Sequence, residues 1–176
     1  MRAFIDFEAS SLADDSYPIE VGWVFEDGSG EEHLIRPAPG WTDWDAAAEA
    51  THGISRGVLE AQGEDHAAVA RRLLEALGPC EAVYCSAPSW DGKWLSVLLR
   101  AAGLPRHALR LKDTDEAHAL VVRAALGEDA SDETVGDIRV GARLATADGP
   151  PRHRALADAQ GELRLWREVA RLAAEA

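Results

Sequence analysis

Asp6 and Glu8 stand two residues apart in the apolar run Ala-Phe-Ile-Asp-Phe-Glu. In a strand such a pair projects from one face, with Cα atoms roughly 6.6 Å apart at about 3.3 Å rise per residue. Carboxylates turned toward an interior are costly unless cations, hydrogen-bond donors or water meet them, and no basic residue stands directly beside these two. Asp91 opens a helical segment, Pro-Ser-Trp-Asp-Gly-Lys-Trp-Leu, where a carboxylate also complements the helix dipole whether or not it does chemistry. His153 and Asp158 are five positions apart in Arg-His-Arg-Ala-Leu-Ala-Asp. That spacing fits a histidine in an entering loop and an aspartate one turn into a helix, facing one cleft from different heights; it fits a solvated helix face as well. Gly161, about one turn further on, is expected to permit close approach on that flank.

The elements that must hold these residues can be read from periodicity. Residues 3–8 and 18–25 predict strands, a third follows near 31–36, and the Glu-Asp-Gly-Ser-Gly turn between the second and third suggests an antiparallel meander. Beyond it the period lengthens. An Ala-rich helical segment covers 44–50, and Asp65 reads as the cap of a helix carrying Val69, Leu73, Leu74 and Leu77. A strand at 82–84, a helix from Pro88 to Leu99 and a strand near 108–111 follow. Residues 127–150, rich in Gly, Asp and Ser, predict loops around a short helix. The last helix begins near Arg154 and places Leu156, Ala159, Leu163, Trp166, Ala170 and Ala173 on one face for packing against a sheet.

The chain has 176 residues, enough for one domain with a full core. No stretch approaches the roughly 20 apolar residues of a membrane span, and acidic residues interrupt what would be the apolar part of a signal peptide, so a cytoplasmic protein is expected. Cys80 and Cys85 have an odd separation that sends their side chains to opposite strand faces, so two ordinary thiols are expected rather than a disulfide or a zinc site. The net charge is −13, from 31 acidic and 18 basic residues. This argues against binding through a long basic track, but clustered carboxylates that chelate cations would reverse the local field.

Taken in order, Phe-Ile-Asp6-Phe-Glu8-Ala-Ser-Ser-Leu12, Cys85-Ser-Ala-Pro-Ser-Trp90-Asp91 and His153-Arg-Ala-Leu-Ala-Asp158 resemble the three motifs of the DEDD exonuclease superfamily, in its histidine-containing (DEDDh, DnaQ-like) branch. Ser86-Ala87 replaces a common His-Asn of the second motif and Ser11 a common Gly of the first; neither position supplies a carboxylate. The resemblance implies a ribonuclease H-like α/β fold, a mixed five-stranded sheet with its second strand antiparallel and helices on both faces. It implies a 3′-to-5′ exonuclease in which Asp6, Glu8, Asp91 and Asp158 hold two divalent ions, while His153 takes the proton of the attacking water. Oxygen ligands favour Mg²⁺ or Mn²⁺. The expected partners are 3′ ends of single-stranded DNA or RNA, gripped locally, and several relatives are dimers. Thr51-His52-Gly53-Ile54 is similar to a segment beside the terminal nucleotide, where Leu12 and Trp90 would add apolar surface. Two other readings use the same residues: a catalytically silent nucleic-acid-binding module, and a metal-dependent small-molecule phosphoesterase.

Overall fold

The computed structural model describes residues 1–147 and 153–176. Three strands form the expected meander: β1 (Arg2–Ala9), β2 (Pro18–Phe25) and β3 (Gly30–Arg36), each antiparallel to the one before. Two short helices follow, α1 (Ala46–His52) and α2 (Arg56–Gln62), capped by the side chains of Asp45 and Ser55. A two-residue strand, β4 (Glu64–Asp65), pairs in parallel with β3 and leads into α3 (His66–Leu77), which Asp65 caps as expected. β5 (Ala82–Cys85) runs parallel to β1, and α4 (Pro88–Ala101) leads to β6 (Leu111–Asp113), parallel to β5. The chain ends in three helices, α5 (Thr114–Leu126), α6 (Asp132–Thr146) and α7 (Ala155–Glu175).

The sheet therefore has six strands in the order β4-β3-β2-β1-β5-β6, one more than expected. The extra strand is two residues at an edge, too short to carry any alternation of side chains. The strand foreseen near 108–111 begins at Leu111. The larger correction concerns 127–150, where α6 is a full helix of 15 residues. Ser131 caps it, accepting from Thr134 N, and Val135, Ile138 and Ala142 pack against α5 and α7. Residues 148–150 of that stretch, and Arg152 before the histidine, lie outside the described residues.

Alternation along β1 divides the core. Ala3, Ile5 and Phe7 join α3 and α4 on one side. Phe4 faces the other way and packs with Ala159, Leu163 and Trp166 of α7 and Ala117 of α5. Asp6 and Glu8 continue the Phe4 line, so the carboxylates stand where the second core layer opens to solvent. Both cysteines are free. Among the described residues no helix is long and apolar enough to cross a membrane.

Candidate active site

β1 pairs Asp6 with Gly22 and Glu8 with Glu20 of β2, and these two β2 residues set where α7 begins. A Cβ at Gly22 would lie 2.2 Å from the backbone nitrogen of Leu156. Only glycine lets the first turn of α7 rest on the strand beside Asp6. Gly161 has no such role, since a Cβ there would meet only the Arg164 guanidinium at 3.7 Å. Glu20 is fully buried. It accepts from Arg154 Nη2 at 2.6 Å and Nε at 3.0 Å, and from the Ala155 backbone N–H at 2.9 Å, so it satisfies one of the free amides at the start of α7. Arg154 reaches Glu32 of β3 as well.

This anchoring brings three predicted residues together: one ligand atom from each of Glu8, His153 and Asp158 lies within 4.8 Å of the others. His153 enters with φ +47°, a left-handed conformation rare outside glycine. Its backbone is held there by the Arg154 and Ala155 contacts that follow at once. Asp91, 1% exposed, arrives from the first turn of α4, where no side chain caps the helix. Its own carboxylate accepts from the Ala87 amide at 3.3 Å.

The electrostatics show how crowded the group is. Burial pushes the Asp6 carboxyl up to about 9, and the charges of Asp91, Glu8 and Asp158 push the same way. Glu8 is raised to about 7 by burial and by Asp158 and Glu20, against the pull of Arg154. Burial raises Asp91 to about 6 although the Cys85 thiol and nearby amides hold it down. Asp158 is raised too, chiefly by burial. A fifth carboxylate that sequence reasoning missed, Glu162, sits one turn beyond Asp158; burial raises it, and its Oε2 has no hydrogen-bond partner among the described residues. Oxygen donors packed closely enough to disfavour their own ionisation fit divalent cations, whose charge would reverse that penalty.

Beside Glu8 lies a cavity of about 340 Å³ between the end of β1 and α1. Leu12, 68% exposed, and His52 line it. His52 is buried, and its Nδ1 accepts from Ile54 N at 3.0 Å, which leaves the proton on Nε2. Gly53 turns the chain with φ +71° at the end of α1, and Ile54 is buried with Tyr17, Ile19 and Leu59; neither lines the cavity. Trp90 does not line it either. It stacks on Trp94, which does. Ser11, which replaces the glycine common in the resembled first motif, donates to Asp43 at 2.6 Å and accepts from Ala13 N, while Ser10 donates to the same carboxylate. The hydroxyls thereby fix the loop that carries Leu12.

No protein-family model matches the chain, and no curated protein is significantly similar to it. Solved structures share the fold. An apo exonuclease I superposes with a TM-score of 0.67 at 17% identity, over 98% of this chain and 43% of that one. Escherichia coli exonuclease I with a dT13 oligonucleotide gives 0.65 at 16% identity, over 92% and 39%, and its zinc-bound complex with single-stranded DNA gives 0.64 at 16%, over 92% and 38%. This chain spans about two fifths of the length of those proteins.

Proposed function

We propose that the chain is a metal-dependent 3′-to-5′ exonuclease of the DEDDh type, acting on single-stranded nucleic acid. The observation that carries this is the convergence of Glu8, His153 and Asp158 within 4.8 Å, beside the half-buried Asp6 of β1 and the buried Asp91 of α4. The shared fold with a nuclease crystallised on single-stranded oligonucleotides supports the substrate class.

Asp6, Glu8, Asp91 and Asp158 would hold a pair of Mg²⁺ or Mn²⁺ ions, which when bound supply Lewis-acid stabilisation of phosphoryl charge and an acidified water. The chain's own residues do the rest. The cavity lined by Leu12, His52 and Trp94 takes the terminal nucleotide. His153 accepts a proton from the attacking water as its oxygen bonds to phosphorus. The bond from phosphorus to the 3′ oxygen of the preceding nucleotide breaks and that oxygen takes a proton from solvent, giving a nucleoside 5′-monophosphate and a strand one nucleotide shorter with a free 3′-hydroxyl. Glu20, through Arg154 and Ala155, holds His153 and the start of α7 in register with β1.

Digestion of 5′-labelled RNA and DNA oligomers with Mg²⁺ or Mn²⁺ tests this reading. The expected result is a ladder shortening from the 3′ end, with 5′-mononucleotides released. Internal cleavage, or phosphate release alone, would replace it with another phosphoesterase.

A further inference from the structure

Residues 92–112 contain none of the 31 acidic residues of the chain, yet carry Lys93, Arg100, Arg106, Arg110 and Lys112. Their charge is opposite in sign to that of the whole molecule. The fold gathers part of this stretch into a groove of about 430 Å³ between α4 and the segment entering β6. Lys93, Arg106, His107 and Arg110 line it, and no carboxylate does. Arg106 and Arg110 are exposed. Arg106 Nε donates to His107 Nε2 at 2.8 Å, which orients the guanidinium without neutralising it.

Elsewhere Arg2, Arg56, Arg72, Arg123, Arg139, Arg154 and Arg171 pair with carboxylates, whereas Arg36, Arg71, Arg100, Arg143, Arg164 and Arg167 form no ion pair among the described residues; what sets the groove apart is that cations gather in it without a carboxylate in its lining. Among the described residues neither Arg106 nor Arg110 forms an ion pair. In a chain with a large acidic excess, an acid-free groove of unpaired arginines is suited to an anion from outside.

The position of the groove says which anion. Pro88 and Gly92 are among its lining residues and flank Asp91 in the first turn of α4. Trp94 lines the nucleotide-sized cavity, whereas Gly92 and Ser96 line the groove. Helix positions two apart project about 200° from one another, so cavity and groove lie on opposite faces of α4. A strand with its 3′ nucleotide in the cavity and its scissile phosphate at the carboxylates can reach the groove by crossing the first turn of the helix.

We infer that this groove binds the sugar-phosphate backbone of a single strand on the 5′ side of the scissile phosphate, with Arg106 and Arg110 as its main contacts. This rests on the exonuclease reading above. It makes the footprint longer than a purely local grip of the 3′ end, though still only a few phosphates.

The test compares wild type, R106A/R110A and the remote control R71A. Affinity for fluorescent oligo-dT is followed by anisotropy without divalent metal, and kcat/KM is measured with Mg²⁺ on a dinucleotide and an eight-nucleotide strand. The double variant is expected to lose about tenfold or more in affinity and in kcat/KM on the longer strand, to stay within about twofold on the dinucleotide, and to show a salt slope shallower by about 1.4, at about 0.7 per phosphate contact. R71A should match wild type throughout. Equal loss on both substrates, or unchanged binding of the longer strand, overturns the groove. So does displacement of the oligomer by poly-glutamate at equal charge, which would assign the surface to acidic protein. If no oligomer is hydrolysed by wild type, the reading of the carboxylate site fails, and the anisotropy comparison still decides whether the groove binds a single strand.

Discussion

Glu20 and Arg154 are 134 residues apart in the chain, yet Arg154 Nη2 lies 2.6 Å from Glu20 Oε1, and Glu20 is fully buried. The pair joins β2 to the start of α7 at the two ends of the candidate site: Glu20 faces Glu8 across the ladder, and Arg154 follows His153. Glu20→Gln keeps the shape and removes the charge that orients the guanidinium. Loss of such supporting contacts typically costs about 10- to 100-fold in activity. The variant is expected to fold, to lose activity in that range, and to do so in kcat more than in KM. Arg154→Ala, which strips a buried carboxylate of its charged partner, should also lower stability by about 1–3 kcal/mol. Thermal melts beside steady-state kinetics check both; a Glu20→Gln enzyme with wild-type kcat would remove the pair from the function of the site.

Asp6→Asn should abolish turnover and raise the stability of the metal-free protein at alkaline pH. The sign follows from the carboxyl at about 9 against an ordinary 3.8. Between these values the folded chain keeps a proton that the unfolded chain has released, so stability falls as pH rises and the contribution is gone once pH passes about 9. Asparagine has no such dependence. Melts of both proteins from pH 5 to 9 should therefore diverge upward in pH, with the variant the more stable. Mg²⁺ or Mn²⁺ should raise the wild-type midpoint by mass action and the variant's much less. Near-wild-type turnover in the variant would end the metal-site assignment for Asp6.

His153→Ala is expected to slow the chemical step by about 10²- to 10⁴-fold, the usual contribution of a general base. Metal-dependent stabilisation should survive, because the four carboxylates remain. Single-turnover rates at saturating Mg²⁺ make the comparison, and a variant within a few-fold of wild type would show that another group takes the proton.

Local pattern made much of this arrangement legible. The alternation Phe4-Asp6-Glu8 placed both carboxylates on one face and Asp65 announced α3; of the face foreseen on α7, Leu156, Ala159, Leu163, Trp166 and Ala173 pack in the core, Ala170 joins no cluster, and the buried Leu165 and Val169 were missed. What escaped depended on distant partners. Glu20 reads as an ordinary strand residue until Arg154 arrives, and Gly22 as a weak strand position until the α7 backbone is laid against it. The same reasoning credited Gly161 with a close approach that belongs to Gly22. Gly136 and Gly141 lowered the apparent helicity of α6, whose apolar positions 135, 138 and 142 form a stripe that only α5 and α7 make worthwhile. Trp90 and Trp94 are four apart on one helix, and nothing local says which of them faces the cavity.

His118 gives a prediction independent of the carboxylates. Its side chain is fully buried on α5, and neither ring nitrogen has a hydrogen-bond partner among the described residues. Asp115 is the nearest acid, with an oxygen 3.9 Å from Nδ1, while Arg139 ties up that same carboxylate. Burial, helped by Arg139 and Arg143, depresses the imidazole to about 4. Between there and the ordinary 6.5 the unfolded chain binds a proton that the folded chain refuses. Stability should thus rise with pH across this window, and the contribution is lost as pH falls toward 4. The interval corresponds to on the order of 3 kcal/mol. His118→Leu, similar in bulk and without the buried nitrogens, should be at least as stable as wild type at pH 7 and clearly more stable at pH 5. Denaturant melts of the two proteins at pH 4.5, 5.5, 6.5 and 7.5 measure the difference. A constant gap across that series would mean that His118 finds a proton partner in the folded chain.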